Sequence, residues 1–161
     1  MQPIIAIDPG LSGGLAWGNT DTPRAAAMPA DLEEEIGMIA LHQLIVNIRS
    51  QFPNIRGVVE KVGGYIGEAQ PASSAFKFGG SDSAARMALV SCGIPIVRVA
   101  PVSWQKHLDL PRRPRTPKGK TQHKRDLKDA AVALFPNCKP TLKTADAFLL
   151  YHLARIGKIK F

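Results

Sequence analysis

The sequence begins with two short apolar segments separated by a tight turn, and this arrangement predicts a β-hairpin at the start of the fold. Residues 3–8 (PIIAID) form the first segment and are stopped by Pro9-Gly10, and residues 13–18 (GGLAWG) form the second. Residues 24–28 predict a weaker third strand. We therefore expect a sheet that contains antiparallel strands from its first element onward.

Helical and strand patterns alternate after the hairpin. Residues 31–51 predict an amphipathic helix with Asp31 as its N-cap and with one apolar face, made of Ile36, Ile39, Ala40, Leu44 and Ile48. Residues 56–60 (RGVVE) and 94–99 (IPIVRV) are brief and β-branched, which is typical of buried strands. A helix over residues 81–92 separates these two strands.

Three further helices are predicted over residues 101–108, 124–135 and 144–157. Between the first two of them, residues 111–120 (PRRPRTPKGK) are too rich in proline and charge for a regular helix or a central strand, so we expect a basic loop there. The order of the elements predicts an α/β protein with a mixed five-stranded sheet flanked by helices. We expect one domain that spans residues 1–161.

The charge balance favours a polyanionic partner. The 21 Lys and Arg residues outnumber the 13 Asp and Glu residues, which gives a formal net charge of +8 and a sequence pI of about 9.8. The densest positive run starts in the predicted loop and continues into the next helix: Arg112, Arg113, Arg115, Lys118, Lys120, Lys124, Arg125 and Lys128. Such a run is typical of sequence-independent phosphate binding, and a solvated charged face is the alternative.

Several other classes of protein are disfavoured. The two cysteines, Cys92 and Cys138, lack the CxxC or Cys/His spacing of a zinc site. No apolar run approaches the ~20 residues of a membrane span, and residues 1–5 lack the basic and apolar regions of a signal peptide. We therefore expect a cytosolic protein that does not bind a membrane.

Three carboxylates occupy positions where a buried acid is costly. Asp8 and Glu60 each close an apolar strand, and Asp146 lies in the otherwise apolar helical segment 145–150 (ADAFLL). A buried, unpaired carboxylate is strongly unfavourable, so each of these acids needs a cation or strong hydrogen bonds. A shared site for Mg²⁺ or Mn²⁺ is the economical explanation, because ligands that are all oxygen favour these ions over Zn²⁺.

Each acid also has a purely structural interpretation. Asp8 suits a turn that is closed by its own side chain. Glu60 suits an ion pair with Lys61 or Arg56. Asp146 suits a first-turn acid that the helix dipole stabilises. Three separate accidents in this order are nevertheless harder to accept than one shared site.

Several segments resemble RuvC-type Holliday junction resolvases of the RNase H-like superfamily, and the resemblance is nearest to the phage and chloroplast branches. Residues 5–16 (IAIDPGLSGGLA) are similar to the first motif of this family, and residues 58–62 (VVEKV) to its second acidic motif. Residues 78–108 are similar to its dimer helix and the strand and helix that follow, and residues 124–150 to its closing catalytic segment. The resemblance spans nearly the whole chain.

This resemblance implies a metal-dependent, structure-selective DNA endonuclease with an RNase H-like fold, which resolves four-way junctions by paired symmetric nicks. It implies that Asp8, Glu60 and Asp146 hold Mg²⁺ or Mn²⁺, with two ions per active site. It also implies that a lysine assists catalysis. The match falls on Lys124 or, with a shifted alignment, on Lys120, and we favour Lys124. The cytosol of bacteria or of phage-infected cells is the implied location, with an organelle as the alternative.

Branched DNA and a second copy of this chain are the partners that the resemblance implies. Two-fold symmetry supplies the two like active sites that paired nicks require. The helix over residues 81–92 is the candidate interface. Its face of mainly small side chains is made of Ala84, Met87, Ala88 and Ser91, and packing in the core is the alternative role of this face. Tyr65 lies where the family carries residues that enter the opened junction, so it is a candidate for stacking on an unpaired base or, alternatively, a core tyrosine.

One departure from the family pattern concerns the metal site. A further acid or a histidine usually stands shortly before the late aspartate, whereas this chain has Thr141, Leu142 and Lys143 there. Lys143 is a candidate for neutralising charge on the phosphate, or a solvated lysine at the start of the helix. A junction-binding protein of the same fold, with weak or lost nuclease activity, is therefore the alternative function. Actin-like ATPases and sugar kinases share the turn after Asp8, but they need two such domains and this chain is too short.

Overall fold

A computed structural model describes residues 2–10, 12–32, 34–62, 72–111 and 116–161 of the chain. The strands in these ranges are β1 (Ile4–Asp8), β2 (Gly14–Gly18), β3 (Arg24–Ala27), β4 (Arg56–Glu60) and β5 (Ile96–Val99). The α-helices are α1 (Glu35–Gln51), α2 (Ala72–Ser91), α3 (Pro101–Gln105), α4 (Pro117–Leu134) and α5 (Ala145–Arg155), and a 3₁₀ turn covers Pro136–Cys138. None of the helices in these ranges has the length and apolar character needed to cross a bilayer.

The five strands form one sheet in the order β3-β2-β1-β4-β5. β1 pairs antiparallel with β2, and β2 with β3, which confirms the predicted hairpin and third strand. β4 pairs parallel with β1, and β5 parallel with β4. β1 is therefore the central strand, hydrogen bonded on both edges, and the predicted mixed five-stranded sheet is confirmed.

Alternate side chains of the central strands contribute to two separate cores. On one face, Ala6 and Val58 belong to a cluster of buried side chains that includes residues of α3, α4 and α5. On the other face, Ile5, Ile7 and Val59 belong to a cluster with residues of α1 and α2. Helices thus cover both sides of the sheet, as parallel strands that are buried on both faces require.

The first helix begins later than the sequence predicts, and its buried stripe shares only Ile48 and the half-buried Leu44 with the predicted one. α1 starts at Glu35, and Asp31 is not its N-cap but has a φ of 58°, in the left-handed region that aspartate tolerates. Three apolar side chains point into the core: Leu41, Ile45 and Ile48. Ile36 and Ile39 are exposed instead. The helix carries apolar residues around much of its circumference, so two stripes at helical spacing compete and packing against the sheet selects one.

The predicted basic loop is shorter than expected, because α4 begins at Pro117 rather than at residue 124. Pro117 occupies the first turn, where its missing N–H costs no hydrogen bond. Thr116 caps the helix by accepting a hydrogen bond from the Gly119 N–H at 3.0 Å. Lys118 and Lys120 are therefore helical. A proline at this position starts a helix, which is why the proline-rich composition was misleading here.

Candidate active site

Two of the predicted acids end neighbouring parallel strands. Asp8 is the last residue of β1 and Glu60 is the last residue of β4, and the two strands are paired in register up to the residues before them. Each acid lies two residues beyond a core residue, Ala6 in β1 and Val58 in β4. Because side chains two apart leave the same face of a sheet, both acids point to the face covered by α4 and α5.

Asp146 reaches the same region from the first turn of α5. This helix packs against β1, β2 and β4. The loop before it approaches β2 so closely that a Cβ on Gly14 would lie 2.9 Å from the carbonyl oxygen of Lys143. A side chain at Gly14 would push this loop away from the sheet, so glycine at this position lets Asp146 come near the strand ends.

The three carboxyl groups share one electrostatic environment. Burial, and then the charges of Asp8 and Asp146, raise the pKa of Glu60 to about 8. Burial and the charge of Asp8 raise the pKa of Asp146 to about 7. Burial raises the pKa of Asp8 as well, against the opposing effect of the Gly10 N–H, which donates to its Oδ1 at 3.3 Å. These mutual effects require the three groups to lie close together in the fold.

Lys124 supplies positive charge to this set from α4. Its ammonium group lowers the pKa of all three acids. Its Nζ donates a hydrogen bond of 3.5 Å to the Oγ of Ser12, in the turn between β1 and β2. One lysine cannot balance three ionised carboxylates, so full ionisation of this set at neutral pH requires a further cation.

The donor set fits a hard divalent cation such as Mg²⁺. It offers carboxylate oxygens alone, and the raised pKa values reflect how little positive charge the described residues place beside the ionised acids. Across the described part of the chain, no three His, Cys, Asp or Glu side chains are clustered as tightly as a formed metal centre requires. Asp8, Glu60 and Asp146 are therefore neighbours, but not a finished ligand set.

Glu60 is also held by an indole. Trp104 in α3 is fully buried, and its Nε1–H donates to the Oε2 of Glu60 at 2.9 Å. Trp104 lies in the helix predicted over residues 101–108, and no role at the site was predicted for it. No role was predicted for Ser12 either. A buried tryptophan usually finds a partner for its N–H, so Trp104 itself was a signal for a nearby acceptor, but nothing in the sequence identified that acceptor as Glu60.

The structural interpretations of the acids have different outcomes. A backbone N–H does close the turn on the side chain of Asp8. Among the residues with described positions, Glu60 forms no salt bridge with Lys61 or Arg56. Asp146 does lie in the first turn of its helix. A turn or a helix dipole accounts for the positions of two acids, but neither accounts for all three meeting at one place.

The departure from the family pattern before Asp146 is visible in the structure. The N–H of Thr141 donates to the Oγ1 of Thr144 at 2.9 Å, which forms a turn ahead of α5. Leu142 and Lys143 are exposed. This segment therefore brings neither a carboxylate nor an imidazole to the three acids.

Basic side chains extend along α4 from the candidate site. Lys118, Lys120, Lys124 and Arg125 are exposed, and none of them forms a salt bridge with a carboxylate whose position the structure describes. Their charges are therefore available to a polyanion. Four predicted DNA-binding residues lie outside the described residues: Tyr65, Arg112, Arg113 and Arg115.

Two solved structures share this fold over nearly the whole chain. Thermus thermophilus RuvC in complex with a Holliday junction substrate has a TM-score of 0.68 and 17% sequence identity, with 99% of each chain covered. A second Thermus thermophilus RuvC structure has a TM-score of 0.60 and 16% identity, again with 99% of each chain covered. No protein-family model and no curated protein matches the sequence. At these identities the likeness is one of fold, and it confirms the RNase H-like architecture of RuvC.

Proposed function

We propose that the chain is a divalent-metal-dependent endonuclease that cuts branched DNA, with four-way junctions as its substrate. One observation carries this proposal: Asp8, Glu60 and Asp146 meet on the face of the sheet where α4 presents Lys124. The fold shared with a RuvC that was solved with a Holliday junction substrate supports the choice of substrate.

The proposed reaction is hydrolysis of a phosphodiester. A water oxygen bonds to phosphorus, one phosphorus–oxygen ester bond breaks, and the departing oxygen takes up a proton. Mg²⁺ or Mn²⁺, held by the three acids, would supply positive charge at the phosphate and lower the pKa of the attacking water. Lys124 lies beside the acids, where its ammonium donates to phosphate oxygens and offsets the charge that develops on them. The Gly10 N–H holds Asp8 and the Trp104 indole holds Glu60, so both acids are oriented before DNA binds.

The basic side of α4 supplies the proposed grip on DNA. Lys118, Lys120 and Arg125 are exposed on the helix that also carries Lys124. A DNA strand whose phosphate backbone reaches the three acids would therefore pass close to these positive charges. Contacts of this kind are sequence-independent and weaken as salt rises. Phe76 in α2 is 82% exposed, and we propose that it stacks on an unpaired base where the junction opens.

We also propose that two copies act together, because paired nicks on opposing strands need two like active sites. Met87 and Val90 of α2 are 63% and 53% exposed. Beside them, α1 and α2 leave a groove of about 160 Å³, lined by Met38, His42, Ala84, Met87, Ala88 and Ser91. A second copy seated on this apolar face would remove it from water. Sedimentation that shows a monomer at low salt, both with and without junction DNA, would exclude the dimer.

A junction-binding protein that does not cut is the second candidate. The segment of residues 141–143, which has no acid or histidine, favours it. A cation held by fewer protein ligands is bound more weakly, and it depends more on water and phosphate oxygens.

A cleavage assay with a labelled synthetic four-way junction and Mg²⁺ or Mn²⁺ separates the two candidates. We expect symmetric nicks from the unchanged protein, and none from Asp8→Asn. Asp31→Asn is the matched control, because Asp31 is exposed and its left-handed φ of 58° suits asparagine. If the unchanged protein binds the four-way junction tightly but gives no product, the result would support the non-cutting candidate. Equal cleavage by Asp8→Asn and the unchanged protein would refute the assignment of the site.

A further inference from the structure

We infer that Trp104 is a positioning residue, whose indole N–H fixes the Oε2 of Glu60 and leaves Oε1 as the oxygen that this acid offers to a divalent cation. The inference rests on the proposed function. The indole carries one donor and no acceptor, so this hydrogen bond has one direction only. No second hydrogen bond to the carboxylate of Glu60 is made by any residue with a described position.

The three acids differ in how they are held. Asp8 is fixed by its own turn, through the Gly10 N–H. Asp146 sits in the first turn of α5, on a short side chain. Glu60 has one more rotatable bond than an aspartate and ends a strand, so it has more conformational freedom to lose when it binds a cation. Among the three acids, Glu60 therefore gains most from a hydrogen bond that restricts its side chain, and Trp104 donates that bond.

The core prevents the indole from moving away. Trp104 has an exposed fraction of 0% and belongs to the cluster between the sheet and the helices α4 and α5. It lies in α3, which follows β5 after one residue, and β5 pairs with β4 so that Val99 is opposite Glu60. β5, the strand beside Glu60, thus leads directly into α3, the helix whose Trp104 binds Glu60.

The same short helix also contacts the helix that carries the lysine. Gln105 follows Trp104, and its Oε1 lies 3.3 Å from the Nε2 of His123. His123 is buried and precedes Lys124 in α4. α3 is therefore in contact with both Glu60 and the segment of α4 next to Lys124. These two contacts fix the distance between the carboxylate of Glu60 and the ammonium group of Lys124.

The chain provides a matched control, because it has two tryptophans. Trp17 in β2 is also buried, with an exposed fraction of 8%. Its Nε1 has no hydrogen-bond partner among the residues whose positions are described. Trp17→Phe and Trp104→Phe remove the same atoms from two buried sites, but only the second removes a bond to Glu60.

The first test is an NMR titration of the unchanged protein with Mg²⁺, in which the two indole N–H signals are followed. Trp17→Phe assigns the two signals. We expect the Trp104 signal to shift and saturate with Mg²⁺ while the Trp17 signal stays in place. A Trp104 signal that does not respond while the protein binds the ion would overturn the inference, and this test needs no variant at Trp104.

The second test is the affinity for Mn²⁺, measured without DNA by the paramagnetic resonance of the free ion. We expect Trp104→Phe to bind Mn²⁺ roughly tenfold more weakly than the unchanged protein, as is usual when the partner of a metal ligand is removed. Trp17→Phe should bind as the unchanged protein does. If both variants bind Mn²⁺ equally well, and the unchanged protein binds the ion and cuts junctions, the role of Trp104 would be overturned and the proposed function would stand. Failure of the unchanged protein to bind Mn²⁺ would overturn the proposed function together with this inference.

Discussion

Replacing Glu60 by glutamine is expected to stabilise the metal-free protein at pH 8. Burial and the neighbouring acids raise the pKa of Glu60 from 4.5 to about 8, so the folded state binds this proton more tightly than the unfolded chain does. The stability that this contributes is fully present below pH 4.5 and is lost as the pH rises through about 8. Glutamine is neutral throughout and keeps an oxygen that accepts from Trp104.

The magnitude follows from the difference between the two pKa values. Each tenfold change in proton affinity is worth about 1.4 kcal/mol, so the pKa of about 8 against the ordinary 4.5 sets an upper limit of about 5 kcal/mol. The neighbouring acids take up protons as well and lower that limit, and we expect about 2 kcal/mol. For a chain of this size, that corresponds to a rise in Tm of about 4–8 °C.

Thermal unfolding in EDTA at pH 5 and at pH 8 measures this effect. We expect Glu60→Gln to exceed the unchanged protein at pH 8 and to match it at pH 5. Glu34→Gln is the control, because Glu34 is exposed and its side chain makes no capping hydrogen bond. Mg²⁺ should then raise the Tm of the unchanged protein at pH 8, but not that of Glu60→Gln. A Glu60→Gln variant that is less stable than the unchanged protein at pH 8 would refute the argument that the acids repel one another.

Three further outcomes are expected. Lys124→Ala should slow single-turnover junction cleavage by roughly 100-fold, since a donor to the charge that develops on phosphate is lost, while Mn²⁺ affinity measured without DNA should not fall. Thr116→Ala removes the cap that accepts from Gly119, and urea unfolding should show a loss of about 1 kcal/mol. Gly13→Ala places a Cβ 2.3 Å from the carbonyl oxygen of Asp8, and the same assay should show a loss of about 2–3 kcal/mol together with weaker Mn²⁺ binding.

The parts of the fold that the sequence predicted well were marked by local signals. Pro9-Gly10 ends β1, and the β-branched run of β4 ends at Glu60, so the strands and their terminal acids were visible without coordinates. The mixed character of the sheet followed from a hairpin and then alternating elements, whereas the strand order came from the structure alone. Asp146 was visible because it interrupts an apolar helix.

The parts that the sequence did not predict depend on contacts between distant residues. The hydrogen bond from Trp104 to Glu60 joins residues 44 apart, and no spacing rule connects them. The buried stripe of α1 was decided by the sheet beneath it, since the helix alone offers two apolar stripes. The proline-rich composition predicted a loop up to residue 120, but Thr116 caps a helix that starts at Pro117.

The three acids are delivered by β1, β4 and α5, at the beginning, the middle and near the end of the sequence. A nascent chain still attached to the ribosome lacks its third carboxyl group until synthesis has passed Asp146, and it lacks the assembled edge until α5 docks on the sheet. For the nuclease proposed above, this arrangement predicts that the growing chain does not cut nucleic acid before α5 has been made and has docked. If translation of the proposed nuclease stops before Asp146, we expect the fragments to be inactive, because they lack one of the three acids.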